Sequence, residues 1–154
     1  MDTVNNARTM PWKAAIEPFR VAPRVWYVGN TWVGSFLIQT SEGLALIDTT
    51  VMEDLYLLID SIHRLGFDPK DLKHIFLTHA HMDHDGAARA LKELTGAKVW
   101  LSREDEEWRH RPEADMSDTG FAIVPYETDC FYEDETPIVM GDVVIRTRLS
   151  AGHT

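Results

Sequence analysis

The chain has 154 residues, 44% of them hydrophobic and 26% charged, the make-up of one ordinary folded domain. Disordered, collagenous and low-complexity classes are excluded, and no apolar run approaches the roughly 18 residues of a spanning helix. The net charge is −10, from 15 basic and 25 acidic side chains, which disfavours nucleic acid and anionic membrane surfaces as partners.

Much of the acidity is local. Residues 103–135 hold twelve acidic and three basic side chains, read as a solvated loop-and-helix stretch. One cysteine, Cys130, forbids an intrachain disulfide. Residues 1–12 show no basic segment followed by an apolar one, so no signal peptide is visible. As written the chain reads as cytoplasmic; removal of a leader would make it periplasmic or secreted.

In chain order, residues 1–20 read as irregular, broken by Pro11 and Pro18. Short strands follow at 25–28, 36–40 and 44–47, the last two joined by the polar turn Ser41-Glu42-Gly43. Leu55, Leu58, Ile59, Ile62 and Leu65 recur at helical spacing before Gly66, predicting a helix over 52–65. A strand at 73–78 carries the continuous apolar run Ile75-Phe76-Leu77. A helix over 86–94 ends at Gly96, a strand covers 99–101, and Ser102 with Asp105 opens another helix as a weak capping box. Residues 110–137 show no period. A closing hairpin pairs 136–140 with the alternating strand 143–149 across Gly141-Asp142. This order predicts an α/β fold, a mixed sheet with helices on one face.

The chemistry concentrates after the apolar strand. Three of seven histidines fall in Thr78-His79-Ala80-His81-Met82-Asp83-His84-Asp85-Gly86, at the strand-to-helix junction where open α/β sheets place their sites. His79 and His81 are two apart, so extended backbone projects both rings to one side, able to share one ion. Adjacent Asp83 and His84 suit a turn, where they are candidates for a second ion. Imidazole with carboxylate suits zinc, whereas calcium and magnesium want oxygen ligands. Gly152-His153-Thr154 means little alone; following a strand and matching a known pattern, His153 becomes a candidate third ligand, which with His79 and His81 would make an open, catalytic three-histidine site.

These motifs resemble those of the metallo-β-lactamase superfamily. The core is His79-x-His81-x-Asp83-His84, supported by Gly152-His153-Thr154 and by Leu46-Ile47-Asp48-Thr49. Subclass B3 is the most similar branch, since two lactamase subclasses carry Arg where this chain has His84, and the flavodiiron branch carries Glu in place of His81. The segments 17–29 and 94–100 also resemble B3 enzymes. The resemblance implies an αβ/βα sandwich and a two-zinc centre. His79, His81 and His153 would hold one Zn2+, and Asp83 and His84 part of the second. The implied activity is hydrolysis of a β-lactam carbonyl by metal-bound hydroxide, an antibiotic-resistance chemistry. Asp83 would be the catalytic carboxylate that orients the nucleophile.

Asp48 is a candidate for orienting a ligand imidazole, or else a cap for the 52–65 helix. Trp32 is a candidate wall of a small-molecule substrate pocket, or an ordinary packed aromatic. Members of this branch are longer, and their second half supplies the last histidine of the second site. The resemblance therefore implies that residues 1–154 are the N-terminal part of one domain, with the rest as a continuation or a separate chain. Two other readings stay open: a hydrolase of another ester, lactone or thioester, and an inactive metal-binding fragment or interaction subunit.

Overall fold

A computed structural model describes residues 3–154; Met1 and Asp2, part of the segment 1–20 read as irregular, lie outside the described residues. A seven-stranded mixed sheet forms the centre. Its strands are β1 (Phe19–Ala22), β2 (Val25–Tyr27), β3 (Phe36–Thr40), β4 (Gly43–Ile47), β5 (Leu72–Phe76), β6 (Lys98–Leu101) and β7 (Cys130–Phe131), neighbouring one another in sequence order. β1 to β4 run antiparallel; β4 to β7 run parallel. The helices are α1 (Thr3–Thr9), α2 (Leu55–Arg64), α3 (Met82–Asp85), α4 (Ala88–Thr95) and α5 (Arg103–Trp108), and a separate hairpin joins β8 (Ile138–Met140) to β9 (Val143–Ile145).

Toward their C-terminal ends β5 and β6 are apolar without alternation, Ile75-Phe76 and Val99-Trp100-Leu101, because both faces are covered there. Ile75, Leu77, Val99 and Leu101 face a core completed by Leu58 and Ile62 of α2 and Leu91 of α4. Phe76 and Ala45 face the other way, against Met140, Ile138 and Ile145 of the β8–β9 hairpin. The hairpin is latched by its turn. Asp142 accepts from the Ser41 amide at 2.8 Å and pairs with Arg24.

Several local expectations shift. Residues 1–20 are not wholly irregular: α1 precedes Pro11, and β1 follows Pro18, pairing Phe19 with Tyr27. The 52–65 helix begins as a tight turn at Met52–Asp54 and becomes α-helical at Leu55. The 86–94 helix is α4, shifted to Ala88–Thr95, and a separate short helix, α3, precedes it inside the histidine motif. The last strand stops at Ile145; beyond it, backbone bonds go sideways, Glu135 N–H to Thr147 and Leu149 N–H to the Asp134 carboxylate.

Asp54, at the start of α2, is 1% exposed. Asn30 Nδ2 donates to one carboxylate oxygen and the other has no partner. Burial raises its pKa to about 6, against the Asn30 hydrogen bond and assisted by Glu53. The native state therefore binds more protons than the unfolded chain between 3.8 and about 6, and stability falls as pH rises through that window. Asp54→Asn should stabilise the fold by about 1–3 kcal/mol near pH 7, a gain that shrinks toward pH 4. Thermal unfolding at the two pH values checks this; an equal effect at both would contradict it.

Candidate metal centre

Parallel pairing brings the ends of β4 and β5 side by side, with Ile47 opposite Phe76. The next residue of β4, Asp48, is buried and reaches across. Its carboxylate accepts from the Thr78 amide at 2.7 Å, the Thr78 hydroxyl at 2.8 Å and His84 Nδ1 at 2.8 Å. It makes no cap for the following helix, whose first turn starts at Val51 without a side-chain bond. Asp48 sits at φ 56° and Thr50 at φ 62°, left-handed conformations that cost of order 1 kcal/mol or more each. Between them Thr49 docks on α3, its amide and hydroxyl both donating to the His84 carbonyl at 2.7 and 3.0 Å. Gly86 lies in the same junction. An added Cβ would stand 2.4 Å from the Met82 carbonyl oxygen and 2.9 Å from the Met52 nitrogen, so only glycine fits.

The chain leaves β5, bends at Thr78 and His79 and turns into α3 after extended His81, whose carbonyl accepts from the His84 and Asp85 amides. His79 and His81 project together, ring centroids 4.7 Å apart, and His153 stands 4.7 Å from each. One ligand nitrogen from each of the three converges within 4.8 Å of the others. His81 Nδ1 and His153 Nε2 face one another at 3.1 Å. His79 Nδ1 meets the Thr78 hydroxyl at 3.0 Å, and its Nε2 is buried with no hydrogen-bond partner. Asp83 and His84 lie outside that group of three but beside it. His84 Nε2 stands 3.7 Å from an Asp83 carboxylate oxygen, and the centroid of the His84 ring lies 4.1 Å from that of His79.

Electrostatics favour ligation. Burial, then the neighbouring His84 and His81, hold His79 down to about 4. Burial and His153 lower His81 as well. Both rings are therefore neutral near pH 7, as a metal ligand requires. Burial also depresses His84, but the Asp48 hydrogen bond and the charges of Asp48, Asp83 and Asp85 outweigh it and raise its pKa. The Asp48 contact engages Nδ1 and leaves Nε2 toward Asp83. Three convergent imidazoles with an orphaned buried nitrogen fit zinc with a fourth position open.

Trp32 is half-buried against Phe121, ring centroids 5.4 Å apart, in a small cluster with Ala7, Ala14, Val51 and Met82. It packs next to the metal loop through Met82. Phe121 falls in the stretch without period and was not foreseen. The remaining histidines lie elsewhere. His74 accepts from Trp100 Nε1 at 2.8 Å on the hairpin side of the sheet, and His110 pairs with Glu106.

The family model of the metallo-beta-lactamase superfamily matches residues 33–153. Among solved structures, BJP-1, a subclass B3 metallo-beta-lactamase of Bradyrhizobium japonicum, is 29% identical with a TM-score of 0.86, over 94% of this chain and 56% of that one. A beta-lactamase from Chitinophaga pinensis is 34% identical with a TM-score of 0.83, over 94% and 56%. A UPF0173 metal-dependent hydrolase of Myxococcus xanthus is 38% identical over 76 residues, which are 48% of this chain and 25% of that protein. The chain thus spans just over half of these structures and a quarter of that relative. On its sequence motifs, its mixed sheet and this match, the chain belongs to the metallo-β-lactamase superfamily.

Proposed function

We propose that these residues are the metal-binding part of a zinc-dependent hydrolase that opens β-lactam rings. The observation that carries the reading is the convergence of His79, His81 and His153 within 4.8 Å, with the His79 Nε2 buried and unpaired. The likeness to subclass B3 structures supports the substrate class. Zinc, when bound, polarises a carbonyl and lowers the pKa of water to about 7.

The protein's own groups divide the remaining work. His79, His81 and His153 would hold the first ion through one ring nitrogen each. His84 and Asp83 offer an imidazole and a carboxylate to a second. The Asp48 carboxylate fixes the His84 ring through Nδ1 and the motif's backbone through Thr78. As a ligand of that second ion, Asp83 would orient the nucleophile toward the reacting carbonyl. Trp32 with Phe121 forms an aromatic wall for the substrate.

A second reading, hydrolysis of a lactone, thioester or other ester, is favoured by the relative named only as a metal-dependent hydrolase, because the metal centre does not itself select the acyl group. The natural full-length protein should turn over a chromogenic cephalosporin and a carbapenem with zinc and lose that turnover on chelation. Turnover of lactones or thioesters in place of β-lactams would establish the second reading. A folded, zinc-loaded protein inert on all of them would remove both.

A further inference from the structure

Helix α5 begins at the same end of the sheet as the histidine motif, because β6 runs parallel to β5 and Ser102 follows its last residue. Asp105 lies on its first turn, 6% exposed in the most acidic stretch of the chain. One carboxylate oxygen takes the Ser102 hydroxyl at 2.7 Å, while Ser102 Oγ accepts the Asp105 amide at 2.9 Å. The other oxygen leaves the helix and accepts the Ala80 amide at 3.2 Å. That amide belongs to the peptide unit between His79 and Ala80, and Ala80 separates the two ligand candidates.

One turn further along α5, Trp108 meets the His81 ring edge-on, centroids 5.1 Å apart. The outer side of the helix is anchored in turn. Glu106 binds Arg109 and accepts from the Thr128 hydroxyl at 2.6 Å, and Arg109 donates to the Tyr126 carbonyl at 3.1 Å.

We infer that Asp105 is a positioning residue of the metal centre: it orients His79 and His81 through the Ala80 amide, with Trp108 buttressing the His81 ring. The physical reason is the rigidity of the peptide unit. Fixing the Ala80 N–H fixes the plane containing the His79 carbonyl and the flanking Cα atoms, and so the directions from which both imidazoles project. The strand ladder cannot do this, because the residues after Phe76 have left β5. A hydrogen bond to a buried carboxylate is among the stronger kinds, and burial keeps water from competing for the amide. The inference rests on the metal reading of the three histidines.

The test uses zinc alone as the probe, in the full chain, with affinity measured by calorimetry and geometry by the visible spectrum of the cobalt(II) form. Asp105→Ala should weaken zinc binding about 10–100-fold, the range for loss of a group that orients a ligand, and should change the cobalt spectrum. Asp105→Asn keeps an acceptor for Ala80 and a contact for Ser102; it should retain the parent spectrum and stay within about three-fold in affinity. His81→Ala is the separate check on the metal reading: parent-like zinc binding there would remove that reading and this inference with it.

Where His81→Ala weakens binding, a folded Asp105→Ala with parent affinity and spectrum overturns the positioning role. So does an Asp105→Asn as impaired as the alanine variant. If Asp105→Ala does not fold, the Ala80 amide resonance decides. It should be slow to exchange in the parent and displaced in Asp105→Asn; an unshifted, fast-exchanging amide overturns the inference.

Discussion

His79→Ala in this chain should lower zinc affinity by about 100- to 1000-fold. Structural zinc sites bind with roughly 10–16 kcal/mol through four ligands, so one imidazole is worth about 2.5–4 kcal/mol. His79 is the sharpest choice of the three because its Nε2 is buried without a partner. Burial and two neighbouring imidazoles keep it neutral, so it needs no proton removed before it ligates. The metal-free variant should fold, because the lost ring contributes one hydrogen bond, to the adjacent Thr78. Zinc calorimetry beside circular dichroism checks both halves. Parent affinity in a folded His79→Ala chain would mean that zinc binds elsewhere.

The second large effect is expected at Asp48. Asp48→Ala removes an acceptor from two Thr78 donors and from His84 in a buried position. Breaking a buried charged network typically costs about 3–5 kcal/mol, and alanine is poorly suited to the left-handed backbone at this position. The unfolding temperature should fall by roughly 6–20 °C. Asp48→Asn should lose less, since asparagine tolerates that backbone and keeps one acceptor. Differential scanning calorimetry on the metal-free chain distinguishes them; alanine and asparagine variants of equal, parent-like stability would show that the carboxylate holds nothing together.

Elements with a long internal period were legible in the sequence. The α2 stripe is one, since Leu58 and Ile62 must reach the core from a single face. The apolar run in β5 is another, because strands covered on both faces carry no alternation. β7 was not legible: two residues give no period, and it exists because Asp129 binds the Val99 amide and sets Cys130 against Trp100. α1 was hidden because its seven residues carry only Val4 and Ala7 as apolar side chains, too few for a stripe; of the two, Ala7 alone is buried among hydrophobic partners.

The site divides in the same way. His79, His81, Asp83 and His84 are contiguous, so spacing exposes them. His153 stood out only through the family resemblance. Asp105 was visible as a helix cap, but its partner amide lies 25 positions upstream, and a single sequence carries no sign of that contact. Phe121 similarly meets Trp32 only after the acidic stretch has folded back.

His81 and His153, whose nitrogens stand 3.1 Å apart, are separated by 72 positions in the chain. An ion shared between them is a cross-link as well as a reagent. Closing a loop of that length removes on the order of 4 kcal/mol of freedom from the unfolded chain. The span it closes contains α4, β6, the acidic stretch and the β8–β9 hairpin, everything between the histidine motif and its distant third member. Metal uptake and the stability of that span are then linked, so free zinc would add to the stability that the metal-free chain already has.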